Sequence, residues 1–271
     1  MGTPNRYSLT GSAAEMYEQN MVPAMFARFA KGLLAFAELQ EGEQVLDVAC
    51  GTGIVARLAW PQVAPSGRVV GLDANAAMLE VARRAAQDSG MPIEWREADA
   101  ASMPLADGAF DAVLCQLGLQ YFTRRNAALK EMRRLLRPSG RLLLSVLRPV
   151  QYSPGHAVFA DALERHVSAT AAATRRAPFV LSERDEVRAL VADAGFQDVV
   201  VQLDVRVVRF PSAEGMIRIM MAGTPLAAAI SKADDAVLGT VITEVTKSLA
   251  AYEDDQGLGL PMQAWVVAAR T

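Results

Sequence analysis

The residues best placed to do chemistry lie in the string Val45-Leu46-Asp47-Val48-Ala49-Cys50-Gly51-Thr52-Gly53-Ile54-Val55-Ala56. An apolar run, a glycine turn and helical sequence follow one another there, which predicts a buried strand, a tight loop and a helix start. Gly51 and Gly53 carry no side chain, so the backbone can turn sharply and let a ligand approach the amides at the helix N-terminus. The chemistry such a loop supports is the cradling of a nucleotide cofactor. The spacing Gly51-x-Gly53-x-x-Ala56 also fits the dinucleotide fingerprint, whose ribose-binding acidic residue stands about 20 positions on, where this chain has Asp73. The loop by itself leaves more than one cofactor class open.

The order of the surrounding motifs narrows the choice. The full string Asp47-x-Ala49-x-Gly51-x-Gly53 resembles the acidic-x-Gly-x-Gly-x-Gly signature of class I S-adenosylmethionine-dependent methyltransferases. A second strand, Arg68 to Asp73, ends on the acidic residue, and Asn75 fits an N-cap for a helix over Ala76 to Gln87. A third strand near Ile93 to Glu97 runs into Ala98-Asp99-Ala100. Gly108 to Cys115 resembles the family's fourth strand, and Leu135-Leu136-Arg137-Pro138-Ser139-Gly140-Arg141-Leu142 its turn into the fifth. The resemblance covers Glu43 to Arg148, extends more loosely to the C-terminus, and is closest to small-molecule enzymes related to the quinone-biosynthesis methyltransferases.

That resemblance implies S-adenosylmethionine as cofactor, with Asp73 on the ribose hydroxyls and Asp99 against the adenine amino group. Tyr17, Asp47, Ala49, Cys50, Gly51, Thr52, Gly53, Ala74, Ala100 and Gln116 complete the implied cofactor set. The chain departs from the family pattern twice. Ala49 replaces the first glycine, adding one methyl group, and Ser139-Gly140 stands for a glycine pair while still supplying one residue able to adopt positive φ.

Strand and helix alternation predicts the elements that must hold these residues: an α/β, doubly wound, mostly parallel seven-stranded sheet, the Rossmann-like methyltransferase fold, with helical lid inserts. Sheets of this kind bind ligands outside the carboxyl ends of their strands. A single domain is expected, with N-terminal helices over 11–40, a cofactor core over 43–148, lid inserts over about 149–181 and 211–258, and the sheet completed by 182–210 and 260–271. Within the inserts the pattern predicts one helix from His156 to Ala172 and two helices broken at Gly223-Thr224-Pro225. Ser182-Glu183-Arg184-Asp185 resembles a capping box, and strands are expected over Val199 to Val208 and Met262 to Ala269.

Substrate identity belongs to the lid, because the cofactor core is shared across many chemistries. The substrate candidates are Tyr17, Gln120, Tyr121, Arg148 and Met220. Met220 lies in Met216-Ile217-Arg218-Ile219-Met220-Met221, whose flexible side chains suit an apolar ligand or simply a core. Candidate catalytic groups are His156, His166 and Tyr121; histidine titrates near neutrality, but the two histidines would point about 80° apart on one straight helix. Arg148, at the end of the fifth strand, is suited either to an acidic substrate group or to solvent.

The chain has 271 residues, 52% hydrophobic and 21% charged, with a formal net charge of -3, which argues against an electrostatic nucleic-acid partner. Arg124, Arg125, Lys130, Arg133, Arg134, Arg137 and Arg141 read as a charged helix face beside Glu131. The segment Met21 to Leu39 is interrupted by Arg28 and Lys31, so no membrane span is expected. No apolar leader stands at the N-terminus, and the two cysteines, Cys50 and Cys115, read as reduced thiols of a cytoplasmic protein. Two cysteines and two histidines are too few for a zinc site, so no metal is expected. The partner is then a small molecule, met by a monomer or homodimer. A catalytically silent S-adenosylmethionine-binding regulator and an NAD(P)-dependent oxidoreductase are the alternatives.

Overall fold

The computed structural model describes residues 11–222, 226–230 and 233–271. The N-terminal arm runs through α1 (Gly11–Met16), a π-helical segment (Tyr17–Phe26) and α2 (Ala27–Ala37). Pro23 lies inside the π segment, where the Ala27 amide reaches back to the Val22 carbonyl. The wider winding accommodates a residue with no N–H to donate.

The core alternates β1 (Gln44–Val48), α3 (Ile54–Val63), β2 (Arg68–Asp73), α4 (Ala76–Asp88), β3 (Glu94–Glu97), β4 (Phe110–Gln116), α5 (Arg125–Leu135) and β5 (Leu136–Leu147). There follow α6 (Pro154–His166), α7 (Ala169–Arg176), α8 (Arg184–Asp193), β6 (Gln197–Phe210), α9 (Ala213–Ala222), α10 (Leu226–Ile230), α11 (Asp235–Leu249), β7 (Glu253–Asp254) and β8 (Gly257–Arg270). The sheet order is β3-β2-β1-β4-β5-β8-β6. The first five strands are mutually parallel, and β8 runs antiparallel between β5 and β6. This is the expected seven-stranded Rossmann-like sheet, with the two-residue β7 added beside β8.

The central strands are apolar on both sides because both faces are covered. Val45 shares an apolar cluster with Ala30 and Leu33 of α2 and Ala59 of α3, whereas Leu46 and Val48 belong to another with Leu129 and Met132 of α5. Gly71 in β2 lies under the indole of Trp95, which a Cβ at that position would overlap. Gly71→Ala is expected to lower stability by about 1–3 kcal/mol, read as a fall in denaturant midpoint at constant m; an unchanged midpoint would mean that the ring moves aside freely.

Several boundaries differ from the sequence-based expectation. The helix expected over His156 to Ala172 is broken at Val167–Ser168, because the Ser168 hydroxyl caps α7 by accepting the Ala171 amide at 3.1 Å. The N-cap of α8 is Glu183, without a side-chain cap bond, and the Ser182 carbonyl instead accepts from the Trp265 indole at 2.8 Å. Three helices, not two, separate β6 from β7, and the expected break at Gly223-Thr224-Pro225 lies outside the described residues. β8 starts earlier than Met262 because it pairs along almost the whole of β6. In the turn within β5, positive φ falls on Ser139 (φ 66) and not on Gly140, where a Cβ would come 2.9 Å from the Arg137 carbonyl oxygen.

A separate apolar cluster joins the inserts to the N-terminal arm, with Met25, Phe159, Leu163, Met216, Met220 and Val245 among its members. The arm is tied to the core by ion pairs from Glu18 to Arg57 at 2.6 Å and from Glu15 to Arg84 at 2.9 Å. Gln116, at the end of β4, also donates to the Phe26 carbonyl at 3.1 Å. These contacts hold the π segment beside the carboxyl ends of β1 and β4.

Candidate active site

The loop after β1 alternates left-handed residues: Ala49 (φ 56), Gly51 (φ 55) and Gly53 (φ 84). An alanine in this region costs about 1–2 kcal/mol, so the position keeps the backbone shape of the glycine it replaces. Its methyl group is accommodated by Gly118 after β4, where a Cβ would come 2.8 Å from the Ala49 Cβ. Gly53 lies under Trp95, whereas a Cβ on Gly51 would meet nothing within 4 Å. Of the two glycines, Gly51 therefore borders open space. The loop closes onto β2 through the Cys50 amide, which donates to the Leu72 carbonyl at 3.0 Å.

Asp47 is buried beneath this loop, and its Oδ2 accepts the Ala56 amide of α3 at 3.0 Å. Burial, and secondarily the neighbouring Asp73, raise its pKa to about 8, while the Ala56 amide opposes the rise. Asp73 ends β2 with Oδ2 accepting the Gly51 amide at 2.8 Å and Oδ1 accepting the Asn75 amide at 2.9 Å. The carboxylate has more lone-pair sites than these amides occupy, so it can still accept a ligand hydroxyl. Burial raises the pKa of Asp73, and these amides limit the rise. Asn75 caps α4 by accepting from Ala77 and Met78. Among the described residues, Asp47 Oδ1, Thr52 Oγ1 and Gln116 Oε1 are buried without a hydrogen-bond partner. A glycine face open to a ligand, with buried acceptors around it, fits a cofactor that carries an ammonium and a sulfonium.

Asp73→Ala is expected to weaken S-adenosylhomocysteine binding by about 1.5–3 kcal/mol, roughly 10- to 150-fold. Calorimetry measures this directly, and unchanged affinity would remove Asp73 from the site.

The outer cofactor candidates sit at the next strand ends. Asp99 is exposed, accepts the Ala101 amide at 2.8 Å and pairs with Arg124 at 2.8 Å; the Ala101 amide and then Arg124 hold its pKa below the usual carboxylate range. Ala100 is buried in the core beside it, and the Ala74 amide bonds to Asp73. The Cys50 thiol turns back toward Gly71, so only its backbone faces the loop. Burial pushes the Cys50 thiol up and the Cys115 thiol to about 12, which leaves both as unreactive thiols at neutral pH.

On the lid side, Tyr17 stacks on Phe26 with ring centroids 4.8 Å apart. Its ring packs against both the lid cluster and the small cluster of Ala14, Met78 and Val81, and burial, followed by Tyr121, Asp73, Glu18 and Asp47, raises its pKa. Gln120 is buried with Oε1 unpartnered among the described residues, and Tyr121 beside it is partly exposed. Leu117 takes φ 50 in the turn before them, and its amide donates to the Ser145 carbonyl at 3.0 Å. This strained turn sets where Gln116 and Gln120 point.

The two histidines have different surroundings. His156 is buried against the Phe179 ring, with centroids 5.3 Å apart, and burial followed by the nearby Arg175 charge holds it neutral. His166, about 15 Å further along α6 by helical rise, bonds to Glu244 at 2.7 Å. Arg165 joins the same carboxylate, so His166 latches α6 to α11.

Arg148 lies over the rings of Tyr152 and Trp265, 3.7 and 4.6 Å from their centroids, and bonds to Gln263. The guanidinium is held by these rings and by an amide oxygen, while its Nε is buried without a partner among the described residues. Met220 is fully buried in the lid core.

The basic cluster is absorbed by local partners. Arg134 bonds to Glu131 and Asp107, Arg137 to Asp111, Arg141 to Glu43 and Arg133 to the Gly195 carbonyl. Two residues outside the sequence-based candidates also shape the site, Gly118 against Ala49 and Leu117 with its positive φ. Ala171, Ala172 and Arg175 share one face of α7 at helical spacing, a signal that becomes legible only once the break at Ser168 is known.

Among the described residues, no helix is long and apolar enough to cross a membrane. A family model described as a methyltransferase domain matches residues 46–144. The ubiquinone/menaquinone biosynthesis C-methyltransferase UbiE of Hahella chejuensis is 44% identical over 108 residues, which are 39% of this chain and 43% of that protein. The chain thus spans less than half the length of this curated relative. Phosphoethanolamine N-methyltransferase 2 of Haemonchus contortus, solved with phosphomonomethylethanolamine and S-adenosylhomocysteine, is 17% identical with a TM-score of 0.61, over 97% of this chain and 57% of that one. The [4+2]-cyclase SpnF is 21% identical with a TM-score of 0.54, over 90% of this chain and 80% of its own. At these identities the two structures establish a shared fold.

Proposed function

The core of this chain is a class I S-adenosylmethionine-dependent methyltransferase domain, and on that premise we propose that the whole protein methylates an oxygen, nitrogen or carbon of a small, partly apolar metabolite. The observation that carries this reading is the crevice itself: an open Gly51 face with buried, unpartnered acceptors at Asp47, Thr52 and Gln116. When bound, S-adenosylmethionine supplies an electrophilic methyl group whose transfer leaves a neutral thioether, so no acid is needed for departure.

The protein's main contribution is then alignment, which is worth about 7–11 kcal/mol for well-oriented reactants. Asp73 and the Gly51 amide fix one end of the crevice, while Tyr17, held by the Glu18–Arg57 pair, covers it and excludes water. A base matters only for an acceptor that holds its proton at neutral pH. Neutral His156 and the Tyr121 phenol are the groups of this chain suited to receive or relay that proton, a contribution of about 10²–10⁴ in rate.

Calorimetry with S-adenosylmethionine, S-adenosylhomocysteine and NAD(P)H tests the cofactor class, and binding of NAD(P)H alone would overturn the reading. An acceptor screen that follows S-adenosylhomocysteine release then separates an enzyme from a cofactor-binding regulator, because only the enzyme turns over.

A further inference from the structure

Arg175 is 5% exposed on α7, yet among the described residues no carboxylate or hydrogen-bond acceptor pairs with it, and its Nε is buried without a partner. Its neighbour Arg176 shows what a structural arginine looks like here, with Asp161 and Glu164 both at 2.6 Å. An unpaired buried cation carries a large desolvation penalty, which a folded chain retains only where something else supplies the counter-charge. Although burial pushes its pKa down to about 10, Arg175 remains protonated at neutral pH.

Its surroundings connect it to the crevice. The turn that carries Tyr121 (Leu119–Tyr121) packs against the turn that follows α7 (Ala177–Phe179), and α6 packs along α7 with the His156 ring against Phe179. Arg175 therefore lies on a lid helix whose C-terminal end meets the segment just after β4. Two more buried polar atoms in these segments lack partners among the described residues, the Ser153 hydroxyl and Gln120 Oε1. Phe179, one turn beyond Arg175, and Phe159 belong to the buried apolar cluster of the lid.

We propose that Arg175 binds an anionic group of the acceptor substrate, a carboxylate or phosphate carried on a partly apolar scaffold, with Ser153 as an accompanying hydrogen-bond donor. This assignment rests on the methyl-transfer reading for where the acceptor lies. A guanidinium presents a planar fork that matches either oxyanion, so the charge is what it selects.

The test titrates benzoate, phenyl phosphate and the neutral benzamide into the full chain, with and without saturating S-adenosylhomocysteine. The wild-type protein is expected to bind one of the anions about tenfold or more tightly than benzamide. Which anion wins distinguishes carboxylate from phosphate. Arg175→Met is expected to remove the preference and Arg175→Lys to keep part of it, each with S-adenosylhomocysteine affinity unchanged. Because the free protein loses an uncompensated cation, Arg175→Met is also expected to melt about 2 °C or more higher than wild type. Equal binding of anion and amide by the wild type, a preference retained in Arg175→Met, or an Arg175→Met chain that fails to fold would each overturn the proposal. Failure of S-adenosylhomocysteine to bind would instead overturn the cofactor reading, while the titrations without it still decide the role of Arg175.

Discussion

Asp47→Asn is expected to abolish most of the pH dependence of S-adenosylmethionine affinity, which in the wild type should rise by up to tenfold per unit between about pH 6 and 7.5. Asp47 keeps its proton to about pH 8 because burial opposes the charged form. A cationic ligand favours the carboxylate, so binding expels the proton, and affinity grows as the proton becomes easier to remove. The substituted amide keeps the shape and an acceptor for the Ala56 amide but cannot ionise. Any slope left in the variant belongs to Asp73, whose pKa is also raised by burial. Burial pushes the nearby Tyr17 and Cys50 further from neutrality, so neither titrates in this window. Calorimetry in buffers of different ionisation enthalpy counts the released proton, and equal proton release by wild type and variant would remove Asp47 from the linkage.

The sign reverses for stability of the free protein. Asp47 ionises near the ordinary carboxylate value of 3.8 in the unfolded chain and only near 8 in the folded one, so the native state holds an extra proton between those limits. Its contribution to stability is therefore largest at low pH and falls as pH rises through that interval, by on the order of a few kcal/mol. Asp47→Asn is expected to be more stable than wild type near pH 8 and to lack this decline, as urea titrations across pH would show.

Gly51→Ala is expected to leave a folded protein with cofactor affinity reduced by about 10- to 100-fold, the equivalent of 1–3 kcal/mol for an intruding methyl group. In the free chain the added Cβ has no atom within 4 Å, so the cost to folding is the left-handed backbone alone, about 1–2 kcal/mol. The neighbouring Ala49 already tolerates the same conformation at φ 56. The methyl group points into the space that a ligand approaching the loop amides must fill. Circular dichroism and calorimetry separate the two effects. A variant that binds S-adenosylhomocysteine like the wild type would show that the ligand approaches from elsewhere.

The sequence by itself determined the architecture and the cofactor loop, because both are written in local pattern. Doubly buried strands read as apolar runs, Gly51 and Gly53 mark a turn of left-handed backbone, and Asn75 carries the cap of α4 in its own residue type. The helix break at Ser168 is not legible in the sequence because apolar and small residues continue the helical period across it, and only the capping bond from the Ala171 amide shows where the second helix starts. Tertiary structure alone decided which charges are committed. Arg148 and Arg175 look alike in sequence, but one is stacked between Tyr152 and Trp265 while the other is buried without an acid. His156 and His166 share a helix, yet one is neutral against Phe179 and the other bound to Glu244, 78 residues away. The tolerance of Ala49 likewise depends on Gly118, which another strand brings to its methyl group. Propensity and periodicity act over a few residues, whereas desolvation and pairing depend on neighbours that the chain brings together only on folding.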